Sequence, residues 1–316
     1  MTQLKFVTLD VFTTQPFSGN PLAVVFLPED PNQQLTQRQK HILTLEFNLS
    51  ETIFVHPLTD PAKRTIDIFT IECEIPFAGH PTIGAANWFL CQTAKGNASA
   101  TPVTSLITKS GEIPISIQDA GAGTVAAKIA HNTRIHAQRF PLSDLLYLHP
   151  TLKPFFREGT TFPLFSIVNG MSQTFIELPS LEALAAVPRA TGGEYVPTER
   201  HLDAGWQSGL ICVYFFVRDV DDEVTGGKVI RTRMMLGALE DPATGSSASG
   251  LAAWLTLTEG VAGQAHRYQF VQGVEMGRRS DIGVNVVLDG EGKIGEVELT
   301  GSAVQVSEGM ISVPAV

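Results

Sequence analysis

The chain has 316 residues, 43% of them hydrophobic and only 17% charged, which suffices for a large buried core and leaves no room for extended disorder. Its formal charge of −10 argues against a nucleic-acid or anionic-membrane partner, since both select basic surfaces. Cys73, Cys91 and Cys212 are odd in number and form no CxxC pair, so neither a disulfide framework nor a zinc knuckle is expected; reduced thiols in a cytoplasmic protein fit better.

In chain order the sequence reads mostly as short strands. "LKFVTLDVF", "LAVVFL", "TIFVH", "RTIDIFT", "IPISIQ", "QTFIEL", "LICVYFFV", "KVIRTRMML", "RYQFVQG" and "GVNVVLD" are rich in β-branched and aromatic residues, with turn-formers between many of them. "QLTQRQKHILTLEF", "DLLYL" and "SLEALAAV" read as helices. Two longer helices are expected over residues 82–93 and 246–258. Both are apolar nearly all round, the mark of a buried helix. No apolar run reaches membrane-spanning length. Arg231 and Arg233 alternate on one strand and read as solvated edge charges.

The stretches that open the two long helices are related. "EIPFAGHPTIGAANWF" from residue 74 and "EDPATGSSASGLAAWL" from residue 240 align without gaps. They match at Glu74/Glu240, Pro76/Pro242, Gly79/Gly245, Gly84/Gly250, Ala86/Ala252 and Trp88/Trp254. Average residue usage would give about one identity in such a window. The repeat implies an α+β chain of two pseudo-symmetric halves, each a curved sheet or barrel around a central helix. The join is expected near residues 119–138, giving halves of 1–130 and 131–316 whose last strands can cross back to the first half.

Gly79 and Gly245 each stand where a loop becomes a helix. There the first N–H groups lack internal partners and the dipole favours an anion. Helix starts of this kind can hold a carboxylate or a developing oxyanion. Ordinary capping and tight helix–sheet packing account for the repeat equally well. His80 and Ser246 occupy equivalent positions, one residue after each glycine, and Asp241 adds a carboxylate. The other histidines show no HxH or HExxH spacing, so no metal site is expected. "GSSASG" lacks the second glycine of a nucleophile elbow around Ser247. "GAGTVA" fits a dinucleotide fingerprint in letters only and reads as a hairpin turn.

"FNLSETIFV" places Glu51 between a helix end and an apolar strand. Together with "DVFTTQPFSGNPLAVV", "PFAGHPT" and "EDPATGS", in this order, it closely resembles the PhzF family of phenazine-biosynthesis-like proteins. The likeness runs from Asp10 to about Gly84, returns at Asp241 to Gly250, and is weak at "QGVEMGRRS". It implies a diaminopimelate epimerase-like fold with the active site between the halves, and a homodimer. It also implies an isomerase that moves a proton between carbons of a small, cyclic amino or hydroxy acid, without metal or organic cofactor. On that resemblance Glu51 is the acid/base, with His80 and Asp241 as the other catalytic residues. Asn20, Ser50, Gly79, Gly245 and Ser246 then bind the substrate's anionic oxygens. Glu51 is expected to have a raised pKa from burial near Asp241. The same fold hosts two-cysteine racemases, but Ala78 and Thr244 stand where their thiols would be, which excludes that chemistry. Ile71 and Arg279 replace prolines common in the family. The main alternative is a non-catalytic small-anion binding or regulatory protein on the same fold.

Overall fold

The computed structural model describes residues 2–92, 102–188 and 193–315. The chain divides into two compact units, one of residues 1–128 with 299–316, the other of residues 129–298.

In the first unit the strand Gln3–Val11 lies between Asn20–Phe26 and Ala303–Ser312, antiparallel to both. Asn20–Phe26 then runs parallel to Glu51–Val55. Parallel neighbours need a crossover, supplied here by the helix Gln37–Phe47. Its start is fixed by a reciprocal capping box between Thr36 and Gln39, and its end by Asn48 in the left-handed conformation. That stop releases the chain three residues before Glu51, which becomes the first residue of the next strand, opposite Leu22 on one side and Thr70 on the other.

The repeated sequence folds as a repeated unit of structure. In the first copy, Lys63–Thr70 pairs antiparallel with the two-residue strand Glu74–Ile75. The chain then enters the helix Gly79–Asn87 and returns as Ser105–Thr108, parallel to Lys63–Thr70. In the second copy, Gly227–Leu236 pairs antiparallel with Leu239–Asp241. The chain then enters the helix Gly245–Glu259 and returns as Ala265–Gln272, parallel to Gly227–Leu236.

The first helix starts three residues earlier than its sequence suggests and the second one residue earlier. The first gives way after Asn87 to a wider turn over Trp88–Gln92, and Thr93 lies outside the described residues. Every residue of Gly79–Asn87 is buried. Gly84 is required by contact: a Cβ there would sit 2.4 Å from Leu22 Cδ2 and 3.0 Å from Val11 Cγ2. Gly250 does the same in its own unit, where a Cβ would meet Gln173 Oε1 at 2.6 Å. Close packing therefore accounts for the second glycine of each copy.

In the second unit Arg134–Pro141, Thr161–Val168 and Met171–Glu177 pair antiparallel in sequence, and the last runs parallel to Leu210–Asp222. Trp254 of the long helix packs on Phe175 with ring centroids 5.7 Å apart. A separate core joins Leu145, Leu184 and Phe215. Arg233 belongs to this interior and is not a solvated edge charge. It pairs through two bonds with Glu240, at 2.7 and 2.9 Å, and donates to the carbonyls of Leu184 and Val187. Arg231 is also paired, with Glu275 at 2.7 Å. The four bonds of Arg233 occupy most of its five guanidinium donors, which allows its burial.

"GAGTVA" forms the hairpin turn between Gly111–Asp119 and Thr124–Lys128. Arg279 bonds Asp222 and Asp281, so the residue that replaces the family's proline anchors two carboxylates. No helix among the described residues is long and apolar enough to cross a membrane.

Candidate active site

Strand and helix bring Glu51 and His80 together in the first unit. His80 Nδ1 lies 3.1 Å from Glu51 Oε2, with 3% and 17% of the two side chains exposed. Glu51 Oε2 and His80 Nε2 are both buried with no aligned hydrogen-bond partner among the described residues. Buried polar atoms of this kind call for a partner such as a water molecule or a ligand. Burial raises the Glu51 pKa. Attraction to His80, the short contact with its ring and the Ser50 hydroxyl outweigh that, and the net direction is downward. The expectation of a raised pKa is thus corrected: loss of water is the largest single influence, but the attraction to His80, the contact with its ring and the Ser50 hydroxyl together exceed it.

Ser50 also donates to Asn20 Oδ1 at 3.4 Å, and Asn20 is buried. Asn20 is placed by a strained loop. The Phe17 N–H donates to Asp10 Oδ2 at 2.6 Å, and Phe12 and Phe17 both take positive φ. At Gly19, with φ of +66°, a Cβ would lie 2.2 Å from the Val11 carbonyl oxygen. Strain of this kind persists where the surrounding structure dictates it, often beside functional groups. Gly79 and His80 form the first turn of a helix whose cap, Ala78, has no side-chain hydrogen bond to offer.

The second unit carries Asp241, Gly245 and Ser246. Thr244 precedes the helix as its cap, yet it makes no side-chain cap bond. Its hydroxyl instead donates to Asp241 Oδ2 at 2.6 Å. Both repeated helices thus begin without a side-chain cap. Ser247 is fully buried against the Cys212 thiol, which burial pushes up to about 12. That leaves the serine without an activating base and the thiol without nucleophilic character. Among the described residues no group of three or more His, Cys, Asp or Glu could hold a metal ion.

The sequence points to Thr244 only as a position without a racemase thiol, and it does not single out Gln272. Gln272 ends the strand Ala265–Gln272 and bonds Thr244 and the Asp241 backbone. The only trace of it is the weak likeness at "QGVEMGRRS", which says nothing about where the amide points.

The fold is the mixed α+β fold of PhzF and epimerase-like proteins, as comparison with known structures and sequences shows. The family model described as phenazine biosynthesis-like protein matches residues 9–309. The trans-2,3-dihydro-3-hydroxyanthranilate isomerase of Pseudomonas aeruginosa is 30% identical, over 96% of this chain and 98% of that one. An uncharacterised isomerase of Mesorhizobium japonicum is 28% identical over 98% and 99%. Among solved structures, the PhzF-family phenazine biosynthesis protein of Bacillus anthracis superposes with a TM-score of 0.76 at 20% identity, covering 99% of this chain and all of that one. A probable proline racemase from Agrobacterium radiobacter, 12% identical, reaches 0.60 over 98% and 93%. The chain belongs to the PhzF, phenazine biosynthesis-like, family and is an isomerase.

Proposed function

We propose that the protein is a cofactor-independent isomerase that moves a proton between carbons of a small cyclic amino or hydroxy acid, with Glu51 as the base. The observation that carries this reading is the Glu51–His80 contact. It couples a carboxylate and an imidazole at 3.1 Å and leaves His80 Nε2 buried with no hydrogen-bond partner among the described residues. Because its pKa is lowered, Glu51 is ionised at neutral pH and ready to accept a proton from the start. The same lowering makes protonated Glu51 a better proton donor than an ordinary carboxyl, which favours return of the proton to a second carbon. The first transfer must then rely on a substrate C–H already activated by conjugation with a carboxylate, imine or enol. His80 holds Glu51 and presents Nε2. Asn20 and Ser50 support the glutamate from its own strand neighbours.

Asp241 orients the substrate in this reading, while the N–H groups at Gly79, Gly245 and Ser246 hold anionic oxygen. The sequence repeat and the family likeness support giving both motif copies a part in one reaction. The relatives' name suggests trans-2,3-dihydro-3-hydroxyanthranilate as the first compound to try. In deuterated buffer, isomerisation with deuterium entering a carbon position of that compound is the expected result. Binding without deuterium incorporation across a panel of cyclic amino and hydroxy acids would instead favour an anion-binding protein. Glu51→Gln should fold and lose incorporation.

A further inference from the structure

Gln272 is fully buried together with Tyr214 and Thr232. Its Nε2 donates to the Asp241 carbonyl oxygen at 2.7 Å and to Thr244 Oγ1 at 3.0 Å. Its Oε1 accepts from the Tyr214 hydroxyl at 3.1 Å, from the Thr232 hydroxyl at 3.5 Å and from the Thr244 backbone N–H at 3.4 Å. Tyr214 also reaches Thr232 Oγ1 at 3.1 Å. The amide cannot be turned over within this set. A carbonyl oxygen only accepts and a backbone N–H only donates, so a flip would oppose like to like at both ends.

The fixed amide has a consequence one bond further on. Because Gln272 donates to Thr244 Oγ1, the single hydrogen of that hydroxyl must point elsewhere, and it points at Asp241 Oδ2, 2.6 Å away. Threonine at a helix cap ordinarily accepts from an N–H of the first turn, and losing that bond costs about 1 kcal/mol. Here the helix has no side-chain cap, and the hydroxyl serves the aspartate instead.

We infer that Gln272 is a positioning residue: through Thr244 it fixes Asp241 Oδ2 as a hydrogen-bond acceptor and sets the direction of the carboxylate, while keeping the Thr244 hydroxyl away from the first N–H groups of its helix. The inference rests on the role given to Asp241 above. Tyr214 and Thr232 act at one remove, by holding the oxygen end of the amide.

The test uses the full-length protein and four variants, Thr244→Val, Thr244→Ser, Gln272→Met and Asp241→Asn. The readouts are deuterium incorporation into trans-2,3-dihydro-3-hydroxyanthranilate, urea unfolding and crystal structures. Thr244→Val and Gln272→Met should each lower kcat at least tenfold while KM changes less than threefold. Thr244→Ser, which keeps the hydroxyl, should stay within threefold of the wild type. The double variant Thr244→Val/Gln272→Met should be no slower than the worse single one, since both break one chain of bonds. In the crystal, independent of any substrate, the Asp241 carboxylate should leave its position in Thr244→Val and keep it in Thr244→Ser. An unmoved Asp241 in Thr244→Val, or a Thr244→Ser protein as impaired as Thr244→Val, would overturn the inference. Normal turnover in Asp241→Asn would overturn the role of Asp241 itself; impaired Asp241→Asn with normal Thr244→Val would overturn only the positioning.

Discussion

Replacing His149 with phenylalanine should flatten part of the acid destabilisation of this protein. His149 follows the helix Leu142–Leu148, with 2% of its surface exposed and its ring edge-on to Phe215 at 5.0 Å. Its Nδ1 has no hydrogen-bond partner among the described residues. Burial, and then the positive charge of Arg233, lower its pKa to about 4. An unfolded histidine titrates near 6.5. Between those values the unfolded chain binds the proton and the native protein does not, so stability falls as pH drops from about 6.5 to about 4 and is level below that. The full span is worth about 3 kcal/mol, of which about 2.5 kcal/mol is already lost at pH 4.5. In His149→Phe that part vanishes, whereas the contributions of distant carboxylates remain and cancel in the comparison. Packing changes from the new ring act equally at both pH values and cancel too. Urea unfolding of both proteins at pH 7.5 and 4.5 measures the difference. Parallel pH dependences would show that His149 is not buried in the neutral form, and the reasoning would fail.

Glu51→Gln should keep its unfolding transition and lose at least ~10²-fold in turnover, the usual scale for a positioned acid or base; near-normal rates would remove Glu51 from the mechanism. His80→Gln takes away the attraction and the ring contact that lower the Glu51 pKa, so the acid limb of the kcat/KM profile should move to higher pH. An unmoved limb in an active variant would dissociate the two side chains. Gly84→Val puts a Cβ 2.4 Å from Leu22 and should lower stability by about 1–3 kcal/mol or more, seen as a reduced melting temperature. A triple Cys→Ala variant should retain activity, because no thiol takes part; a folded but dead protein would refute the glutamate mechanism. Family likeness leads us to expect a homodimer, which sedimentation at micromolar concentration would detect, a monomer counting against it.

The repeat was legible because its physical demands fall on single letters. Gly84 and Gly250 must be small for helix and sheet to meet, and Gly79 and Gly245 open their helices. Most strands were legible from apolar content. Thr161–Val168, Ile294–Gly301 and Ala303–Ser312 are among the strands the sequence does not reveal, together with Ser105–Thr108, Thr124–Lys128 and Arg134–Pro141. Ile294–Gly301 and Ala303–Ser312 contain polar letters and glycine, and their strand state comes from pairing with neighbours rather than from propensity. Arg233 was misread for a related reason. Alternating charges on a strand look like a wet edge unless Glu240 and two carbonyls are known to surround one of them.

Composition, spacing and motif order alone determined the α+β class, the doubled helix start and the residues Glu51, His80 and Asp241 as the ones to examine. These follow from local demands on the chain, or from a likeness carried by contiguous letters. Only the tertiary structure decided the direction of the Glu51 pKa, the burial of Arg233 and the tie from Gln272 to Asp241. Each is set by distances of about 3 Å between segments far apart in sequence. Electrostatic and hydrogen-bond energies change steeply over such distances, and no linear pattern of residues encodes them.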